Sequence, residues 1–286
     1  MHPFQAFVQR YDQVYQEGRK IAPGGFQKSA TPPPSSTAPR VLIFSPHPDD
    51  ECIIGALPLR LLREAGMRVI NVAVTQGSKK ERQAERLEEL KGACDFLGFE
   101  LWQTRPNGLE RVNLKTRETD SCFWSKSVGV IAEILERTTP HVIFFPHEHD
   151  WNSSHIGTHH LVVDALRALS PAFSCHAVET EYWGQNNSPN LMVQSTVADV
   201  ADMVAGISFH VGEVTRNPFH LFLPAWMQEN VRRGSELVGG QGKGAPDWTF
   251  ATLYRMRQWR EGQFHENLTK GKLLPEDTNP GSIFAP

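Results

Sequence analysis

The stretch RVLIFSPHPDDECIIG, residues 40–55, decides how the chain is read. Val41 to Phe44 are an unbroken apolar run, as expected of a strand covered on both faces of a parallel sheet. The chain then places His47, Asp49, Asp50 and Glu51 within five positions. Carboxylates packed so closely are unfavourable unless something positive sits among them. A helix N-terminus would be served by one acid, and three with a His-Pro ahead exceed that need. A divalent ion such as zinc meets it, because it takes neutral imidazole and carboxylate ligands and keeps a position open for water. His47 and Asp50, three apart on one side of a turn, are the expected ligands. Asp49 then projects toward the open position, where a general base belongs.

Outward from this stretch, apolar strands alternate with amphipathic helices. Strands are expected at 40–45, 67–75, 99–103, 141–146, 177–182 and 191–195, with helices at 52–65, 79–98, 123–139 and 155–169. Such alternation predicts an α/β, Rossmann-like three-layer sandwich with a mostly parallel sheet. Strand order 3-2-1-4 would make the first and fourth strands neighbours, with ligands bound beyond their carboxyl ends. The loop after the fourth strand, PHEHDWNSSH (146–155), offers His147, His149, Asp150 and His155, and the helix beyond adds His159 and His160. His155 opens that helix and can point into the crevice. His155 and His159 also share the i, i+4 spacing of a two-imidazole helix face, though no Glu lies between them.

The first 39 residues read as a short helix and a Pro/Ser-rich arm (KSATPPPSSTAPR, 28–40) lying on the surface. Residues 40–286 read as one domain whose C-terminal extension, from about 211, looks loop-rich. Within that extension His210, Glu213, Arg216, Asn217 and His220 alternate with aromatics in a pattern that suits sugars. Glu179, Glu181 and Trp183 hold a similar, weaker claim. A net charge of −3 argues against nucleic acid or an anionic membrane as the main partner. No apolar run reaches the roughly 18 residues of a membrane span. The N-terminus is too polar for a signal peptide, and the four scattered cysteines read as buried, reduced thiols of a cytoplasmic protein. The sequence leaves room for a homo-oligomer.

PHPDDE after the first strand, TQGS (75–78) after the second, Arg86-x-x-Glu89-x-x-x-Ala93-x-x-x-Leu97-Gly98, and a late His before a helix together resemble the LmbE-like, PIG-L family of zinc-dependent de-N-acetylases. The resemblance covers about residues 40–210. It implies a Rossmann-like sheet and removal of an N-acetyl group from a glucosamine-type sugar or conjugate. It further implies His47, Asp50 and His155 as zinc ligands and Asp49 as general base, with iron an acceptable substitute for zinc. Family members usually carry His-x-x-His where this chain reads NSSH, so Asn152 takes the first position. An Asn can donate to an oxyanion but cannot deliver a proton. Arg86, His159 and His210 are the expected substrate contacts. Two other readings are a metal amidase acting on a different acyl amide, such as a sugar–thiol conjugate, and a non-catalytic sugar- or nucleotide-binding protein. The absence of G-x-G-x-x-G after the first strand argues against a dinucleotide-binding protein.

Overall fold

The computed structural model describes residues 2–28 and 32–285. After α1 (Pro3–Gly18) the chain enters β1 (Arg40–Ser45), the short α2 (Asp50–Ile53), α3 (Leu57–Arg63) and β2 (Arg68–Ala73). Next come α4 (Gln83–Leu97), β3 (Glu100–Gln103), α5 (Leu114–Thr119), α6 (Ser121–Thr138) and β4 (Val142–Pro146). Then follow α7 (Ser153–Ala168), β5 (Cys175–Thr180), β6 (Leu191–Ser195), α8 (Val197–Ser208), α9 (Val211–Arg216) and α10 (Leu223–Leu237). Three strands finish the sheet: β7 (Phe250–Arg260), β8 (Gln263–His265) and β9 (Lys272–Leu274).

Pairing follows the order β3-β2-β1-β4-β5-β7-β6-β9, with β8 on β7. The expected 3-2-1-4 arrangement is therefore present, and β1 pairs in parallel with both β2 and β4. Successive residues of β1 serve opposite faces. Val41 and Ile43 join the core under α3, α4 and α8, while Leu42 joins the one under α6 and α7. Both faces are buried, which explains why β1 carries no polar alternation.

The expected helix at 52–65 is in fact two, broken at Gly55. There φ is +87°, and a Cβ would lie 2.3 Å from Thr252 Oγ1 and 2.5 Å from the Tyr254 hydroxyl. The Tyr254 hydroxyl donates to Ile54 O at 2.7 Å and accepts from Leu57 N at 3.3 Å, holding the break from β7. The loop-rich C-terminal extension needs correction as well. GGQGKGAP (239–246) is loop, but α9, α10 and an 11-residue interior strand, β7, lie around it. β7 escaped notice because arginines interrupt its apolar pattern. One of them, Arg257, is matched across the sheet by Glu179, with Nη2–Oε2 at 2.7 Å. The N-terminal helix runs over Pro3–Gly18 and leaves Phe4, Phe7, Val8 and Val14 exposed. Of the arm at 28–40, residues 29–31 lie outside the described residues; Ser36 O accepts from Arg68 Nη1 at 3.3 Å. Among the described residues no helix is long and apolar enough to cross a membrane. All four cysteines are free, and Cys122 is exposed where a buried thiol was expected.

Candidate active site

The motif after β1 and the loop after β4 meet at the switch point between those strands. His47 Nδ1 lies 3.2 Å from His155 Nε2, and Asp50 Oδ2 lies 3.4 Å from the former and 3.3 Å from the latter. Three donors at the corners of a nearly equilateral triangle fit one ion. Tetrahedral ligands held at 2.0–2.1 Å stand about 3.3–3.4 Å apart. His47, Asp50 and His155 thus suit a divalent cation in donor type and in spacing.

Each corner is fixed by its own support. Asp50 Oδ2 accepts the His47 backbone N–H at 2.8 Å. Burial opposes its charge, but His155 and His47 outweigh that and hold the carboxyl well below the usual range. His155 is wholly buried; burial would depress its pKa, yet Asp50 and Asp150 raise it to about 10. Its second nitrogen, Nδ1, faces Asp150 Oδ1 at 3.3 Å, the carboxylate–imidazole arrangement that orients a metal-binding His. Asp150 in turn accepts from Asn152 N at 2.8 Å and from Trp183 N and Gly184 N at 3.1 Å each. Gly184 is needed for this approach, since a Cβ there would come within 2.8 Å of Asp150 Cα. The Tyr182 ring closes the pocket over His155, with centroids 4.8 Å apart.

Asp49 has φ +110° and ψ −27°, a conformation non-glycine residues rarely adopt. Its N–H donates to Glu51 Oε2 at 3.0 Å, while Glu51 Oε1 pairs with His210 Nε2 at 2.6 Å. Burial and the neighbouring Asp50 raise the Asp49 pKa well above the usual range, against the opposing pull of His210 and Arg86. Two adjacent carboxyls are therefore driven apart, one acidic and one basic, as paired acid–base groups require. Arg86 donates from Nη2 to Pro48 O at 2.8 Å, bracing the same turn.

Asn152 caps α7, its Oδ1 accepting from Ser154 N at 2.8 Å. The cap uses the oxygen and leaves the NH2 group as the donor on offer. With His47, Gly77, Lys80, Arg111 and Asn113, Asn152 lines a crevice of about 530 Å³. A further cavity, about 570 Å³, lies under residues 32–36 at the amino end of β2, away from the motif.

The structure thus brings together His47, Asp49, Asp50, Asn152 and His155. It does not bring His210 or His159 to the crevice. His210 is fully buried on Glu51, and His159 turns toward β4, its Nδ1 2.9 Å from Pro146 O, with burial lowering its pKa to about 3. Glu179 and Glu181 are occupied by Arg257 and Arg233. Sequence reasoning missed the orienting role of Asp150, the Glu51–His210 pair and the Tyr182 wall. The one available signal was a buried-looking ETEYW segment at the carboxyl end of β5.

Comparison with known proteins bears on this geometry. Residues 42–166, from β1 into α7, match the family model described as PIG-L: GlcNAc-PI de-N-acetylase. The PIG-L match holds every residue of the triad. A 1D-myo-inositol 2-acetamido-2-deoxy-alpha-D-glucopyranoside deacetylase of Thermomonospora curvata is 29% identical over 168 residues. That alignment takes in 48% of this chain and 56% of the relative, so the chain matches little more than half of its length. The N,N'-diacetylchitobiose deacetylase of Pyrococcus horikoshii shares the fold at a TM-score of 0.55 and 16% identity, over 90% of this chain and 93% of that one. GalB of Pseudomonas putida, a 4-carboxy-2-hydroxymuconate hydratase, shares it at 0.52 and 16%, over 76% and 95%. The shared fold thus accompanies more than one activity.

Proposed function

We propose that the chain is a metal-dependent hydrolase that removes the acetyl group from an N-acetylated amino sugar or its conjugate. The observation that carries this reading is the His47–Asp50–His155 triangle with Asp49 beside it. Zinc or iron, when bound there, would supply Lewis acidity toward the acetyl carbonyl and acidify a water. Asp49 takes the water's proton as that oxygen attacks the carbonyl carbon. The Asn152 NH2 group donates to the oxygen on which negative charge develops, a contribution worth roughly 10²–10³ in rate for single donors of this kind. Asp49 then returns the proton to the departing amine, so no separate acid is required and the absence of a His at position 152 is tolerated. Arg86 braces the Pro48–Asp49 turn through Pro48 O. The T. curvata relative, named for an acetamido-sugar substrate, supports the substrate class.

The test pairs metal analysis with acetate release from a panel of N-acetylglucosamine glycosides. Asp49→Asn should keep its metal and lose nearly all turnover. Unchanged turnover in that variant would refute the assignment. Bound metal with no acetate released from any N-acetyl sugar would favour a binding protein instead.

A further inference from the structure

Tyr182, which packs on His155, also walls a second cavity of about 250 Å³, together with Trp151, Trp183, Phe219, Phe222 and Trp226. Its floor is Ile53, two residues beyond Glu51. Three of its walls are unusually exposed for aromatics: Trp151 at 78%, Phe222 at 52% and Trp183 at 42%. Trp183 and Phe219 meet edge to face at 5.7 Å, and Phe222 rests on Tyr15 of α1 at 5.0 Å. Solvent-facing apolar surface gathered in one concave place marks a binding site.

Two features tie this cavity to the metal triad. Tyr182, one of its walls, packs on the ligand His155. Trp151 and Asn152 are consecutive, the first lining this cavity and the second the crevice. A substrate held at the triad therefore has this aromatic box as a neighbour. Under the proposed reaction the acyl side of the amide is one methyl group, far too small for the box. What reaches it must belong to the amine side. Six aromatic rings, with Gln185 the main polar side chain among them, suit an apolar group better than a hydroxyl-rich second sugar.

We infer that the cavity binds an apolar aglycone, an alkyl or aryl group attached to the N-acetylated sugar. The inference rests on the proposed deacetylase reading for its placement of the sugar. The experiment compares the methyl and octyl glycosides of N-acetylglucosamine, both below the micelle concentration, on the metal-loaded full chain. Each buried methylene strengthens binding several-fold, so kcat/KM for the octyl glycoside should exceed that for the methyl glycoside by at least tenfold. Phe222→Ala and Trp226→Ala should bring that ratio toward one. Tryptophan fluorescence is read in parallel, with a saturable change expected for the octyl glycoside only, weakened in Phe222→Ala.

Saturable octyl binding without acetate release would sustain the aglycone site and overturn the deacetylase reading. Equal turnover of both glycosides with no fluorescence response would do the reverse. A ratio that persists in both variants, or the absence of both binding and turnover, overturns the aglycone site.

Discussion

Glu51 gives the sharpest test of how Asp49, the proposed general base, is held. Its carboxylate accepts the Asp49 N–H at 3.0 Å on one oxygen and meets His210 at 2.6 Å on the other. In Glu51→Ala the strained backbone of Asp49 loses the acceptor that secures it. Positive-φ strain at a non-glycine residue is worth about 1–3 kcal/mol, so relaxation of Asp49 should lower kcat by roughly 10- to 100-fold. The proposed ligands His47, Asp50 and His155 are untouched, so metal content should stay at that of the parent. Glu51→Gln separates hydrogen bonding from charge. Its carbonyl still accepts from Asp49, and its NH2 can meet a neutral His210 Nε2. That variant should keep kcat within a few-fold. Steady-state kinetics on metal-quantified protein decides the matter. An alanine variant with parental kcat, or a glutamine variant as slow as alanine, would show that Glu51 does not hold the base.

Three other outcomes follow from the same geometry. Asn152→Asp should preserve the α7 cap and melt near the parent, yet lose roughly 10²-fold or more in kcat because a donor becomes a negatively charged acceptor; differential scanning fluorimetry with acetate release checks both halves. His159 is held neutral, its pKa lowered to about 3 from 6.5. The unfolded chain therefore gains a proton that the native one refuses as pH falls from about 6.5 toward 3. Stability should drop by about 2 kcal/mol between neutral pH and pH 5 on this account, and urea titrations of His159→Gln should show a correspondingly flatter dependence. Adding zinc should raise the melting temperature, by about 2.7 kcal/mol of stability at a hundredfold excess over Kd. Asp50→Asn should abolish most of that gain.

The legible parts were those whose chemistry is local. The strand-to-motif transition at 44–51 fixes β1, the switch point and two corners of the candidate metal triad, because a buried parallel strand and a run of acids have no common alternative. His155 could be placed because it opens a helix. His159 and His210 misled for one reason: an imidazole in a polar stretch looks the same whether it faces a crevice or, as here, a carbonyl or a buried carboxylate. Asp150 could not be singled out either, since its partners Trp183 and Gly184 lie more than thirty residues away and offer backbone N–H groups that carry no sequence signature. The interior strand β7 hid its burial behind arginines, one of which, Arg257, has its countercharge on β5.

The position of β7 between β5 and β6 also dictates an order of events on the ribosome. Until about residue 260 has emerged, β5 presents a bare hydrogen-bonding edge and Glu179 stands buried-to-be without Arg257. The Tyr254 clasp over Ile54, just downstream of the His47–Asp50 turn, is missing for the same interval. A nascent chain stalled or cut between β5 and β7 would therefore carry an unpaired sheet edge, and the turn that ends at Ile54 would be among the last things to set.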